Sequence, residues 1–351
     1  MPGGLSGRDL LQLGVAAALV AAAAAGHFGN ATPVLAFALS ALAIAMLAHL
    51  VGGATEQLGA RVGSGAAGVV QSALGNLPEL FIALFALHDG LVDVVQAALV
   101  GSVIANGVLV LGIAFLVGGL RHGTQRFDSP RARIIATLTA LAAAILSVPT
   151  LANAFHAPAA AHARTLSLVC AGVLLALFVL TLPGFLAGGL VEEGTEPPRW
   201  PLVTTVLVLG GAAVAAAFAS DWFVTALRPA TERLGMSEAF AGLVVVAIAG
   251  NAVENVVGVQ LAARNRPDFA ISVIVSSALQ VALLLTPVLV FASLGFATTL
   301  TLAFPTLLAI ALLMAAALTA LVVYDAESRW EEGAILIGLY VVLAASFWWG
   351  S

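Results

Sequence analysis

The sequence predicts an all-α integral membrane protein of about eleven transmembrane helices: one N-terminal helix followed by two inverted five-helix repeats. Three observations predict it. The chain is 61% hydrophobic and 9% charged, with a mean hydropathy of +1.09, whereas a soluble domain carries roughly 25% charged residues. Apolar runs of about 20 residues, the length that crosses a bilayer core, recur along the whole chain. Within two of them stands the same polar motif, Gly-Asn-x-x-Glu, at Gly75, Asn76 and Glu79 and at Gly250, Asn251 and Glu254. The offset is 175 in each case (250 − 75, 251 − 76, 254 − 79), half of a 351-residue chain.

Taken in order, the spans fall at 11–28, 33–56, 65–87, 94–119, 133–153, 165–190, 201–224, 238–262, 269–293, 298–322 and 334–349. Glycine and proline inside these runs do not veto helices, because membrane spans tolerate both. The first run, with Arg8 ahead of an alanine-rich core, also has the outline of a signal peptide, but no soluble export domain follows it. Orientation comes from the arginines, the only basic residues besides histidine. Ten of the thirteen (Arg8, Arg61, Arg121, Arg126, Arg131, Arg133, Arg199, Arg264, Arg266 and Arg329) fall in one set of loops, and Arg164, Arg228 and Arg233 in the other. The positive-inside rule places the N-terminus in the cytoplasm and, after eleven crossings, the C-terminus outside. Short loops and the lack of targeting signals suggest a prokaryotic inner membrane.

With the first helix (1–30) set aside, ten spans divide as 31–190 and 201–351, around the acidic, proline-rich linker 191–200. Five is odd, so the second copy enters the membrane from the opposite side, the inverted-repeat plan of secondary transporters. Other pairs keep the register. Ala54-Thr55-Glu56-Gln57-Leu58-Gly59 recurs as Ala230-Thr231-Glu232-Arg233-Leu234-Gly235 at an offset of 176, and Asp93 with Asp268 and Val100-Gly101-Ser102 with Val275-Ser276-Ser277 at 175.

Glu79 and Glu254 sit mid-span, where an ionised carboxylate costs roughly 2.5–3.5 kcal/mol on insertion scales. Protons, a basic partner or a bound cation would relieve that cost, and no arginine or histidine is predicted at their depth. Two protons or one divalent cation would each neutralise the pair, which is exchange in outline. The neighbours suit a hard cation, which takes 6–8 oxygen ligands. Asn76 and Asn251 lie one helical turn before each glutamate, and Ser102, Ser277 and Gln280 fall at matching depth in spans four and nine. Pro78 is expected to free the carbonyl of Leu74 beside Gly75, with Gly250 as the counterpart. Interhelical hydrogen bonding is the plain alternative for these asparagines, and close helix packing by small residues for the serines; Gln280 has no counterpart amide, since Ala105 stands at the equivalent position. Gln96 is expected near the outer end of span four.

Glu56 and Glu232, near span ends, are either solvated charges or gate and proton-path groups. His49, two turns before Glu56, could relay protons or simply pack. Asp89, Asp93 and Asp268 are expected to cap helices. Cys170 reads as inert packing, and no Cys/His cluster exists for a soft metal. A net charge of −5 on so few charges gives no reason to expect nucleic acid.

These residues resemble the calcium:cation antiporter superfamily, and most closely its cation/proton exchanger branch. The two Gly-Asn-x-x-Glu motifs, Thr55-Glu56-Gln57-Leu58, Leu80 to Leu87, Val94-Val95-Gln96-Ala97 and Ser276-Ser277-Ala278-Leu279-Gln280 carry the resemblance, from about residue 45 to 295. It implies a peripheral first helix, a central site and Ca2+ export driven by inward H+ flow, with Glu79 and Glu254 as shared Ca2+ and H+ ligands. Asn76, Asn251, Ser102, Ser277 and Gln280 would support them. The chain departs from that branch at Leu77-Pro78, Asn255 and Ser276, so Na+-coupled Ca2+ exchange and monovalent cation/H+ exchange stand as alternatives. A cation channel is the alternative outside the family. No nucleophile–base pair marks an enzyme, no cofactor is expected beyond the transported Ca2+ and H+, the lipid bilayer is the expected surrounding, and no signature of an oligomeric state is present.

Overall fold

A computed structural model describes residues 4–29, 31–127, 130–187 and 198–350. In chain order its α-helices are α1 (Gly7–Phe28), α2 (Pro33–Leu74), α3 (Leu77–His88), α4 (Val92–Ile104), α5 (Leu111–His122), α6 (Pro130–Ala154), α7 (Ala163–Ala187), α8 (Leu202–Leu234), α9 (Glu238–Phe240), α10 (Ala247–Gly250), α11 (Ala252–Ala263), α12 (Pro267–Gln280), α13 (Thr286–Ala292), α14 (Thr306–Tyr324) and α15 (Trp330–Ser346). Three π-helical turns interrupt them, at Ala105–Val110, Ala241–Val246 and Val281–Leu285. Strands β1 (Gln125–Arg126) and β2 (Glu327–Ser328) pair antiparallel.

Among the described residues, eight segments are long and apolar enough to cross a membrane, or nine with the bent pair Glu238–Gly250 and Glu254–Ala263. Two expected spans fall short of that length: 334–349 is the 17-residue α15, and 65–87 is shared between the end of α2 and the 12-residue α3. The boundary expected between 56 and 65 does not exist. α2 runs unbroken for 42 residues, about 63 Å at 1.5 Å per residue. The dip in hydropathy at Glu56, Gln57 and Arg61 is a polar patch on a continuous helix, with no proline to end it. Span ten also starts later than expected, at Thr306, because 296–305 is irregular chain. Most of the acidic linker, 188–197, lies outside the described residues.

The chain forms two compact units, Met1–Phe85 with Leu177–Leu234 and Ala86–Ala176 with Gly235–Ser351. Each draws on both halves of the sequence. In the first unit α2 packs along α8, and α1 lies against both. Phe37 stacks on Phe223 with ring centroids 4.6 Å apart. Gly26 lets α1 approach closely, since a Cβ there would lie 3.4 Å from the backbone of Ala36. Ser6 and Asp9 form a capping box at the start of α1, satisfying donors that a helix start leaves over. The Gln57 side-chain oxygen accepts from the backbone N–H groups of Arg199 (2.8 Å) and Trp200 (3.3 Å), and Arg61 donates to the Trp200 carbonyl. The polar patch of α2 therefore anchors the chain entering α8.

The second unit centres on α4 and α12. The window through α4 and α5 is 78% buried and the one through α12 and α13 is 72% buried, against 17% for α1. Helices apolar on every side suit a core. Around them α14 packs on α6, α15 on α5, and α11 on both α12 and α5. Two glycines permit the tightest crossing, where α4 meets the π-turn 241–246. A Cβ on Gly101 would lie 2.4 Å from the Leu243 carbonyl oxygen, and one on Gly242 would lie 2.5 Å from that of Val94. Neither Asp93 nor Asp268 caps its helix: α4 and α12 start without a side-chain cap, and both carboxylates fall within the first turn, where the helix dipole favours a negative charge.

Candidate functional site

Both copies of the Gly-Asn-x-x-Glu motif break a helix at the same place. α2 stops at Leu74, Gly75 and Asn76 form a turn, and α3 begins at Leu77. α10 stops at Gly250, Asn251 adopts φ −102° and ψ 22°, and α11 begins at Ala252. In each copy the asparagine carbonyl accepts an i→i−4 hydrogen bond from the fourth residue of the new helix, Leu80 at 2.9 Å and Asn255 at 3.1 Å. In each the glutamate is the third residue of that helix. The two arms of the second break meet at 65°. A broken helix at membrane depth is tolerated where protein or a polar cavity satisfies the freed backbone groups, and its positive N-terminal end suits a carboxylate.

The part expected of Pro78 needs correction. It stands in the first turn of α3, where its missing N–H would have no intrahelical partner in any case. The break is made by Gly75 and Asn76, not by Pro78 clashing with Leu74.

In the first unit Glu79 is 1% exposed, and Gly75 and Asn76 are buried. In the second unit Asn251 is 1% exposed and Glu254 half-buried, with Gly250 buried beside them. There a closed network joins Asn251 to three other side chains. The Asn251 amide donates to the Ser102 hydroxyl at 3.1 Å and to the Ala247 carbonyl at 3.0 Å. Its oxygen accepts from the Ser277 hydroxyl at 3.1 Å and from the Asn106 amide at 3.4 Å. Asn106 also donates to the Ser102 carbonyl (2.9 Å) and the Ser277 hydroxyl (3.3 Å). Ser102 and Ser277 thus meet at Asn251, and Gln280 ends α12, half-buried.

Asn106 was not among the expected residues. It is fully buried, in the π-turn that follows α4, and its side-chain oxygen has no partner. The side-chain oxygens of Ser276 and Asn255 are likewise buried without one. A signal for Asn106 exists in the sequence. It stands four residues after Ser102, as Gln280 stands four after Ser276. The 175-residue register set Gln280 against Ala105 and hid that match.

No group of three or more His, Cys, Asp or Glu side chains suits a metal among the described residues. Around Asn251 the side chains offer neutral oxygens, with the Glu254 carboxylate one helical turn on, donor types that suit a hard ion. Glu56 and Glu232 are exposed in the first unit, the first within α2 and the second in the last turn of α8. His49 is half-buried, and its Nε2 lies 3.0 Å from the side-chain nitrogen of Gln12 on α1. Gln96 is buried within the second unit, in the second turn of α4 and so near the start of that span.

The model of the sodium/calcium exchanger protein family matches residues 32–186 and 204–349, stretches on either side of the linker. The Ca2+/H+ antiporter ChaA of Bacillus subtilis is 34% identical over 321 residues, covering 89% of this chain and 91% of that protein. The Ca2+/H+ antiporter of Aphanothece halophytica is 32% identical and covers 92% of each chain. The solved structure of native YfkE superposes with a TM-score of 0.83 at 31% identity, over 96% of this chain and 99% of that one. The H+/Ca2+ exchanger CAX shares the fold, with a TM-score of 0.75 at 17% identity, over 97% of this chain and 92% of that one.

Proposed function

This chain belongs to the sodium/calcium exchanger protein family, and we propose that it exchanges Ca2+ for H+ across a cell membrane by alternating access. The observation that carries the reading is the repeated break: a turn at the asparagine, the same carbonyl hydrogen bond and a glutamate at the third helical position in both halves. Glu79 and Glu254 are the shared ligands. Two protons neutralise them, or one Ca2+ does, and the doubly charged empty state is costly enough at membrane depth to be scarce. Exchange follows, since the site switches its access from one side to the other only when loaded with one ion or the other. Asn76, Asn251, Ser102, Ser277 and Gln280 supply neutral oxygens, and Glu56, Glu232 and His49 are candidates for the path by which protons or cations enter. The N-terminus is cytoplasmic and the C-terminus outside. Antiporters so named in bacteria and cyanobacteria, similar over nine-tenths of their length, support the choice of Ca2+ and H+.

The test is transport in proteoliposomes with the proton and sodium gradients set independently. An acidic lumen drives Ca2+ uptake without sodium, and collapsing the proton gradient stops it. Uptake driven by sodium and indifferent to pH would replace H+ as the counter-ion. Flux beyond about 10⁵ ions per second without coupling would mark a channel.

A further inference from the structure

Residues 296–305, between the turn Ser293–Gly295 and α14, run through the second unit as irregular chain. Leu300, Leu302 and Phe304 are buried and alternate with half-buried neighbours, the period of an extended strand. Among the described residues no strand pairs with this strap; side chains satisfy much of its backbone instead. The N–H groups of Leu300, Leu302 and Phe304 donate to the hydroxyls of Ser293 (2.9 Å), Ser167 (2.9 Å) and Thr150 (2.8 Å). The Thr150 hydroxyl donates back to the Leu302 carbonyl at 3.1 Å. The Gln96 amide donates to the carbonyls of Thr301 at 2.7 Å and Ala303 at 3.4 Å. All four side chains are buried.

A helix keeps its own hydrogen bonds when it moves as a body. The side-chain bonds to the strap instead cross to other elements: α4 through Gln96, α6 through Thr150, α7 through Ser167, and the turn after α13 through Ser293. Moving any of these would leave a buried polar group unpaired, which is unfavourable. Gln96 lies on the helix that carries Ser102 six residues later and leads into Asn106.

We propose that Gln96 is a positioning residue: its amide, held by the strap carbonyls, fixes the rotation and depth of α4 and so the placement of Ser102 and Asn106. This rests on the reading of those two residues as cation-site groups. Thr150 acts at one remove, by holding the strap that holds Gln96. The grip needs both N–H donors of the Gln96 amide, and for Thr150 it needs only the hydroxyl.

Two readouts on Gln96→Met, Thr150→Val and Thr150→Ser test this. The first is hydrogen exchange of the protein in nanodiscs, followed in peptides covering 92–106 and 296–305. The second is the KM and kcat of Ca2+ uptake in proteoliposomes. Gln96→Met and Thr150→Val are expected to speed exchange in both peptides about tenfold and to raise KM about three- to tenfold with kcat held within about twofold. Thr150→Ser is expected to match the wild type. Faster exchange confined to 296–305, a loss of kcat with KM unchanged, or impairment in Thr150→Ser equal to that in Thr150→Val would overturn the proposal. Should Gln96→Met fail to fold, the two Thr150 variants decide. Failure of the Ca2+/H+ reading would appear separately, as wild-type protein that takes up no Ca2+ under a proton gradient, while the exchange readout would still judge Gln96.

Discussion

Asn106 and Asn251, 145 positions apart, share a hydrogen bond in which the amide of the first donates to the side-chain oxygen of the second at 3.4 Å. With Ser277 donating to the same oxygen, Asn251 is held by two donors while the oxygen of Asn106 stays unpaired. The pair gives the second half of the site a fixed shape and one spare acceptor.

Asn106→Ala is therefore expected to weaken Ca2+ binding. Losing one buried amide partner is worth about 1–2 kcal/mol, or roughly tenfold in the KM of uptake. Proteoliposome transport across a range of Ca2+ concentrations reads it. An unchanged KM in folded protein would remove Asn106 from the site.

Glu79→Gln and Glu254→Gln keep the shape of each side chain and delete its charge and its titration. Each is expected to reduce proton-driven Ca2+ uptake by at least about 100-fold, since an interaction with a buried charge is worth several kcal/mol. Melting temperature should change little, because neutral amides at these depths are cheaper to bury than carboxylates. Inverted vesicles with an acidic lumen provide the assay. Near-normal uptake by either variant would mean that its carboxylate is structural.

Much of this was legible in the sequence because hydropathy and repetition are local signals. The apolar runs, the duplicated motif and the pairing of Ser102 with Ser277 could all be found without a structure. What escaped depends on partners distant in sequence. The strap at 296–305 is apolar enough to read as part of a span, and hydrogen bonds from Gln96, Thr150, Ser167 and Ser293 make irregular chain tolerable there. The one local hint was Phe304-Pro305, since the residue before a proline is turned away from helical geometry. Hydropathy alone reads the Gln57–Arg61 patch as a loop, because its anchoring of Arg199 and Trp200 is a tertiary fact. Asn106 was hidden by a slip of one residue between repeats, which a single offset cannot follow.

Outside the membrane, Glu327 lies between two arginines. Arg329 donates to it at 2.5 Å and 3.2 Å, and Arg126 lies 3.3 Å away. The hydrogen bond from Arg329, then the charges of both arginines, hold its carboxyl below the ordinary carboxylate range. A depressed value means the stabilisation is present above the ordinary range and disappears as pH falls through the folded value. Glu327→Gln is thus expected to melt slightly earlier than wild type at neutral pH and together with it in acid. The gap should shrink in high salt, since the pair is exposed and screened. Melting curves of both proteins across pH and salt are the check, and a gap that survives in acid would place its origin elsewhere.

The crossing of α4 with the π-turn 241–246 is the least forgiving contact described. A Cβ on Gly101 would meet three backbone atoms of Leu243, its O, Cα and C, at 2.4–2.8 Å, and one on Gly242 would meet the Val94 carbonyl oxygen at 2.5 Å. Backbone cannot rotate away as a side-chain tip can, so the two elements would have to separate. Overpacking of this kind typically costs about 1–3 kcal/mol, and here it would also move Ser102, the next residue after Gly101. Gly101→Ala and Gly242→Ala are accordingly expected to lower melting temperature and Ca2+ affinity together. Gly53→Ala and Gly210→Ala are the counter-cases: both lie within helices, and a Cβ at either meets nothing within 4 Å. They should fold and transport as wild type does. Thermal melts in detergent with uptake assays on the four variants separate the classes, and a tolerated Gly101→Ala would show that this crossing gives way more easily than its backbone contacts imply.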